Sequence, residues 1–428
     1  MSEESIFPCL GTFAAALSDP GGYELEQLEA LARDAPAPLA SFVQAALSSD
    51  GILMHKALGE LALAAEQKNT FQSWFDLGVL AQRFYFTQAA IDYYQRSLKL
   101  AEEEMDGDKA ARALNNLGSL YAEVEDWEHS GECYRFALAR LERSGSSPVS
   151  VLRNLAQVCS RRGDHEQAKM AFGKVLVLLG DKSPKESAEV HSQLGKIHQL
   201  EGELAAAKKN YRQSLETFER AGERRGAAEA MASLAYLHQI EGEWETSLDL
   251  YEKAMHQLDD MGDRSASAKM QSNLGNVYFR SGKWSLALEC YQKSLSVLEW
   301  IGDRSGSASA LNNMGLACLE RGEWEKAADY FQRAIVIMEE QGDSSGAARA
   351  LSNLASIYYR RGRYDDALRY NERSLHIKEE QGDRQGITST LNNMGLVYAE
   401  LGEWERAADC YRRSVDMLRE MGDDLEAA

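Results

Sequence analysis

Apolar side chains recur three and four positions apart along most of the chain, and the whole pattern returns about every forty residues. The stretch from Leu311 to Asp343 shows one period. Laid over Ser272 to Asp303 upstream, and over the two stretches that follow it, it matches small residue to small and large to large. Spacings of three and four mark amphipathic helices. A fixed period of this length marks a repeat array, whose units bury their apolar faces on one another and share a continuous core.

Each period predicts two helices. The first runs from about Ser305 to Glu320 and stops at Gly322, a residue suited to a left-handed helix end. The second runs from about Glu323 to Glu340, and the acids Glu323 and Glu325 suit the positive end of its dipole. Gly342 ends it, and Asp343 is placed to cap the next helix. Gly315, Ala327 and Ala334 are small where helices must approach closely, and Trp324, Phe331 and Ile335 alternate with them. The Trp324 column also holds Trp127, Trp244, Trp284 and Trp404, with Tyr364 in the eighth period. These rings are expected in the core, where truncation of a buried one to alanine costs about 3–5 kcal/mol.

The periods align on an apolar-Gly/Ala pair, from Leu77-Gly78 to Met394-Gly395, which gives nine units. Steps are forty residues except at Leu155-Ala156 and Leu194-Gly195, where they are 38 and 39, with the slack near Ser144 to Pro148. Upstream, residues 1–22 read as a flexible leader closed by Asp19-Pro20-Gly21-Gly22. Tyr23 to Arg33, Leu39 to Leu47 and Ile52 to Ala65 read as helices, so 23–69 forms a helical N-terminal cap or degenerate repeat before the array at 70–428. The expected fold class is all-α, an α-solenoid of about nine helix pairs.

Composition narrows the function. Lys and Arg number 47 against 67 Asp and Glu, a net charge of −20. Such a balance argues against nucleic-acid partners, which are held by clustered cations. No stretch approaches the roughly 20 apolar residues of a membrane span, and the N-terminus lacks a basic signal-peptide region. The six cysteines (Cys9, Cys133, Cys159, Cys290, Cys318, Cys410) form no CxxC pair and read as reduced thiols packed as small hydrophobes, which fits a cytoplasmic protein. No phosphate-binding glycine loop, HExxH or GxSxG occurs, so no catalytic residue, cofactor or enzymatic activity is expected. His198 and His238 stand in a column otherwise filled by Tyr121, Tyr278, Tyr358 and Tyr398 and read as core substitutions. No metal site is expected at His191 and His198, since the sequence pattern offers no acid or cysteine to complete one.

The units resemble the tetratricopeptide repeat. Leu274-Gly275 and Tyr278 in a first helix, then Ala287, Tyr291 and Ser294 in a second, match its pattern, and every unit follows with drift. The resemblance covers about Phe71 to Asp424. The common repeat has about 34 residues. The forty-residue period, with Gly-Asp-Arg connections such as Gly302-Asp303-Arg304, is similar to the longer-helix variety of kinesin light chains, G-protein-modulating spindle-orientation adaptors and many prokaryotic signalling proteins. It implies a right-handed superhelix whose first helices line a concave, peptide-binding groove.

One polar column precedes the packed pair: Asp76, Asn116, Asn154, Gln193, Ser233, Asn273, Asn313, Asn353 and Asn393. An amide offers donor and acceptor together, so a ladder of them can pair with an extended backbone whatever its side chains. Asn276, and Asn312 beside Asn313, are further candidates. On the same face the cations Arg83, Arg112, Arg153, Arg161, Lys196, Lys269, Arg280, Arg349 and Arg360 outnumber the acids Asp76, Glu123, Glu189, Glu229, Glu320 and Glu400, nine to six. The expected partner is therefore an extended protein or peptide segment with acidic side chains or a free carboxylate. The expected function is a protein–protein interaction scaffold or, alternatively, the peptide-responsive sensor arm of a larger signalling system. Val415, Leu418 and Met421 are expected to be exposed and to offer a self-association surface.

Overall fold

A computed structural model describes residue 10 and residues 37–48, 50–180 and 182–422. The helix expected over Tyr23 to Arg33, all of the leader except Leu10, and Cys9 lie outside the described residues. The chain divides into two compact units, Met1–Glu201 and Gly202–Ala428. Among the described residues every regular element is a helix, and each unit stacks consecutive helix pairs in an all-α solenoid arrangement.

Unit 1 contains α1 (Ala37–Leu47), α2 (Gly51–Lys68), α3 (Phe71–Arg83), α4 (Thr87–Glu103), α5 (Gly107–Glu123), α6 (Trp127–Ser144), α7 (Val149–Arg161), α8 (His165–Leu179) and α9 (Pro184–Leu200). The α1/α2 pair matches the expected cap helices within a few residues. Pro38 lies in the first turn of α1, where the missing N–H costs nothing. Helix α7, only 13 residues long, follows the irregular Ser144-to-Pro148 connection and explains the shortened spacing there.

Unit 2 contains α10 (Leu204–Ala221), α11 (Arg224–Ile240), α12 (Trp244–Asp260), α13 (Arg264–Arg280), α14 (Trp284–Ile301), α15 (Arg304–Glu320), α16 (Trp324–Glu340), α17 (Ser344–Arg360), α18 (Tyr364–Gln381), α19 (Arg384–Glu400) and α20 (Trp404–Met421). From α13 onward the first helices, which carry the odd numbers, start on aspartates. Asp303, Asp343 and Asp383 accept hydrogen bonds from the backbone N–H groups of Gly306, Gly346 and Gly386 at 2.8–2.9 Å. That satisfies amides which a helix start otherwise leaves unpaired.

The glycine of the apolar-Gly pair has a steric reason. A methyl group added at Gly275 would lie 2.5 Å from the Tyr291 ring, and one at Gly315 would lie 2.8 Å from Phe331. In these pairs the ring of the second helix is thus seated directly on the backbone of the first. Small second-helix residues close the remaining gap by bonding across the pair. The Ser247 hydroxyl donates to the Ala235 carbonyl at 2.7 Å, and Ser294 and Ser374 donate to Ala268 and Ala348 at the same distance.

Two packing expectations need correction. The tryptophan column is not fully buried: Trp127, Trp244, Trp284 and Trp324 are half-buried and Trp404 is 70% exposed. These residues begin the second helices, where Trp127, Trp244 and Trp324 pack against the edge of the core and stay partly exposed. Leu418, expected to be exposed, is buried, whereas Val415 is half-buried and Met421 exposed. Leu418 sits at the position of Leu298 and Met338, which face the core of their own pairs.

Candidate functional site

Residues four and seven apart share one face of a helix. Along α13 this places Lys269, Asn273, Asn276 and Arg280 in a single stripe, and Arg349, Asn353 and Arg360 form the corresponding stripe of α17. The amides of Asn273, Asn313, Asn353 and Asn393 are half-buried, with the cations around them exposed. The local reason is packing. Each asparagine immediately precedes the most tightly packed pair in its helix, so the amide sits at the rim of the core.

In unit 1 the column is already hydrogen-bonded to itself. Asn154 Nδ2 donates to Asn115 Oδ1 at 3.0 Å, Asn115 Nδ2 to Asn116 Oδ1 at 3.4 Å, and Asn116 Nδ2 to the Tyr94 hydroxyl at 3.1 Å. Tyr94 donates onward to Gln82 Oε1 at 3.0 Å, and Gln82 Nε2 to Glu123 at 2.7 Å. Three of the five cations on that face of unit 1 are engaged as well, whereas Arg83 and Lys196 form no ion pair among the described residues. Arg112 lies 4.6 Å from the centre of the Phe75 ring, Arg161 5.8 Å from that of Trp127, and Arg153 3.8 Å from the Glu189 carboxylate. A cavity of about 430 Å³ opens on this face, and Glu123 and Glu125 line it beside Asn154 and Arg161. Its walls therefore favour cations over anions.

Unit 2 differs. Asn313 Nδ2 reaches Asn276 Oδ1 at 3.4 Å, and Asn276 accepts a 2.8 Å bond from the Tyr291 hydroxyl. The side chains of Asn273, Asn353 and Asn393 have no hydrogen-bond partner among the described residues, and Asn312 Oδ1 is buried without one. Lys269, Arg280, Arg349 and Arg360 likewise form no ion pair among the described residues. The arginines of the second helices, in contrast, are neutralised in a regular ladder: Arg333–Glu299 at 3.4 Å, Arg373–Glu339 at 2.5 Å and Arg413–Glu379 at 3.3 Å. Free cations and open amides thus coincide on one face of this unit.

The first rung, Asp76, is a buried carboxylate at 4% exposure. Gln72 Nε2 donates to its Oδ1 at 2.7 Å, and Oδ2 has no partner. Burial raises its pKa from 3.8 to about 6, against the Gln72 bond and the nearby Arg112 charge. The column position alone gave no sign that this rung would be inaccessible.

Acids do gather beside the histidines, contrary to the sequence-based expectation. Ligand atoms of His238, Glu241 and Glu243 lie within 4.8 Å of one another. His238 is buried, and its Nδ1 is 2.5 Å from Glu243. Lys208 enters the same space. Its ammonium bonds Glu241, lies 3.3 Å from His238 Nδ1 and 3.9 Å from Glu243, and so supplies the positive charge that a metal ion would bring. The signal was present in the sequence as His-x-x-Glu-x-Glu, which occurs at His198 and again forty residues on at His238. The lysine, thirty residues upstream of His238, was not legible. Cys133, Cys159, Cys290, Cys318 and Cys410 all have thiol pKa values raised chiefly by burial, so they are held as protonated thiols and not as nucleophiles.

Among the described residues no helix is long and apolar enough to cross a membrane. A family model described as tetratricopeptide repeat matches residues 109–178, 186–256, 266–340 and 346–420. No curated protein sequence matches the chain. Among solved structures it is similar to a signal transduction ATPase with numerous domains, with a tetratricopeptide repeat sensor, from Pyrococcus horikoshii. That pair has 14% identity and a TM-score of 0.56, over 78% of this chain and 54% of that one. The apo form of RapI matches at 14% identity and a TM-score of 0.51, over 64% of this chain and 99% of that one. BtubC (BKLC) from P. vanneervenii matches at 24% identity and a TM-score of 0.49, over 51% and 92%.

Proposed function

The chain belongs to the tetratricopeptide repeat family, and from that premise we propose that it is a protein-interaction scaffold which binds an extended peptide on the first-helix face of unit 2. The observation that carries this is the coincidence of unpartnered amides at Asn273, Asn353 and Asn393 with unpaired cations at Lys269, Arg280, Arg349 and Arg360. The amides hold the peptide backbone through paired donors and acceptors. The cations select acidic side chains or a terminal carboxylate, and speed their capture by a protein that repels anions elsewhere. Asn313 and Asn276 contribute through their weak mutual bond, which a ligand can replace. Asn116, Asn154, Arg112 and Arg153 act mainly in holding unit 1 together. Binding, not catalysis, is what such a face offers.

A sensor role is the second reading. It draws on the Pyrococcus horikoshii ATPase, whose tetratricopeptide repeat is a sensor and of whose length this chain spans 54%. At 14% identity the likeness establishes the fold alone.

The test is a random dodecapeptide library panned against the full chain, followed by fluorescence polarisation with the enriched peptides. Enrichment in Asp and Glu is expected, with affinity falling as salt rises. Substituting Asn273, Asn353 and Asn393 together by alanine is expected to cost about 1–2 kcal/mol per amide. Asn116→Ala with Asn154→Ala should lower stability and leave affinity unchanged. Equal losses from both variants, or none from the triple variant, would remove the ladder from the mechanism.

A further inference from the structure

A second site lies on the opposite side of α13 from the amide stripe. A cavity of about 630 Å³ opens between α12, α13 and α14, and Met255, Asp259, Arg264, Lys293, Val297 and Trp300 line it. The volume is that of a small-molecule site. At 100° per residue, Arg264 and the cavity-lining turn above it point away from Lys269, Asn273 and Arg280, so a molecule here does not occupy the peptide face.

The repeat itself shows what is unusual. In the neighbouring pairs, the arginine that opens a first helix is tied to an acid thirty-six residues later: Arg224 to Asp260 at 3.1 Å, Arg304 to Glu340, and Arg384 to Glu420 at 3.7 Å. In the α13/α14 pair that acid is replaced by Trp300. Arg264 has no carboxylate partner among the described residues. Its guanidinium lies 4.6 Å from the centre of the Trp300 ring, and the indole is 71% exposed. Lys293 stands where Arg333, Arg373 and Arg413 find acids on the preceding second helix, yet it forms no ion pair with Asp259, the residue in register with it. Two cations and one acid therefore line a pocket with an apolar wall, in a chain whose net charge is −20.

We propose that this pocket binds a small carboxylic acid carrying an apolar chain. The guanidinium of Arg264 takes the carboxylate in the place of the missing acid, with Lys293 offsetting the charge of Asp259. Met255, Val297 and the Trp300 ring cover the apolar chain.

Octanoate, octanol and octylamine, titrated calorimetrically against the full chain, separate the contributions of charge and chain. Octanoate is expected to bind with Kd on the order of 0.1–1 mM, as suits a ligand of its size. The amine and the alcohol should bind at least about ten-fold more weakly, because neither forms the charge-assisted bond to Arg264. Arg264→Gln should lose about the same factor. Trp300→Glu restores the acid found in the neighbouring pairs, so it should abolish binding while helical circular dichroism is unchanged. Trp300→Phe keeps the apolar cover and should stay within roughly three-fold of wild type. Octanol binding as tightly as octanoate, or octanoate binding unchanged in Trp300→Glu, would overturn the proposal. A tripeptide ending in leucine with a free carboxylate serves as the competing arm, and its binding more tightly than octanoate would assign the pocket to protein termini and overturn the small-acid proposal.

Discussion

The two units carry the same polar column and use it in opposite ways. In unit 1 the amides bond one another from Asn154 through Asn115 and Asn116 to Tyr94, and Arg112, Arg153 and Arg161 lie over aromatic rings or beside an acid. In unit 2 most of the amides are open and the cations free. Residue identity therefore does not decide whether a polar ladder is structural or available. The second asparagine at Asn115 and the tyrosine hydroxyl of Tyr94 complete the network in unit 1, whereas in unit 2 Asn312 and Asn392 occupy the Asn115 position beside Asn313 and Asn393, and Ser272 and Ser352 occupy it beside Asn273 and Asn353. Their hydroxyls are taken by Ser294 and Ser374, at 2.8 and 2.9 Å. An amide with a committed neighbour becomes part of the scaffold.

Among the described residues each unit also buries one Asp, Glu, Lys or Arg, of opposite sign in the two, and this gives the largest expected effect on stability. Asp76 has a folded pKa of about 6 against an ordinary 3.8, so the folded state holds its proton more tightly than the unfolded state. Its contribution to stability is fully present below the unfolded pKa and is lost as the pH rises through 6. Asp76→Asn, which installs the residue of the other rungs, should stabilise α3 and α4 by up to about 3 kcal/mol at pH 7 and above. It should also abolish the gain on acidification from pH 6 to 4. Hydrogen exchange of the α3 and α4 amides across that range reads both effects.

Lys378 is the counterpart in unit 2, buried at 6% exposure where Leu298 and Met338 stand in the preceding pairs. Its ammonium donates to Ser352 at 3.1 Å and Thr390 at 2.8 Å, and burial lowers its pKa. The penalty is in full force below the folded pKa and is relieved as the pH rises through it, the reverse of the trend at Asp76. Lys378→Met should raise the urea midpoint at pH 7, with a gain of about 1–2 kcal/mol. Both hydroxyls keep other hydrogen bonds in the variant. A loss of stability would show that the lysine organises the α17–α19 core.

The smallest contrast lies in the turns. Unit 2 crosses from first to second helix through glycines such as Gly322 at φ 75°, and unit 1 puts Glu125 at the equivalent place with φ 62°. A side chain in this region costs roughly 1–2 kcal/mol. Gly322→Ala should therefore destabilise and Glu125→Gly stabilise, each by about 1 kcal/mol, as read by thermal unfolding. Changes of the same sign in the two variants would mean that the units do not share one turn geometry.

Helix boundaries, pair count, caps and the small positions where helices approach were all legible in the sequence, because each depends on residues within about twenty positions of one another. A period of forty residues also predicts that equivalent positions stack. The accessibility of each rung was not legible. Whether Asn116 or Asn353 is free depends on groups from adjacent helices, and Trp404 and Leu418 show the same limit for burial. Asp76 and the Arg264–Trp300 pocket are places where the repeat is broken by one residue.

The sequence by itself determined that this chain folds as stacked helix pairs, since periodicity and capping act locally and recur nine times with little variation. Only the tertiary structure decided which polar groups remain open to a partner. A hydrogen bond or ion pair needs its atoms within a few tenths of an ångström of the right place, and that placement is set by residues thirty to forty positions away on neighbouring helices.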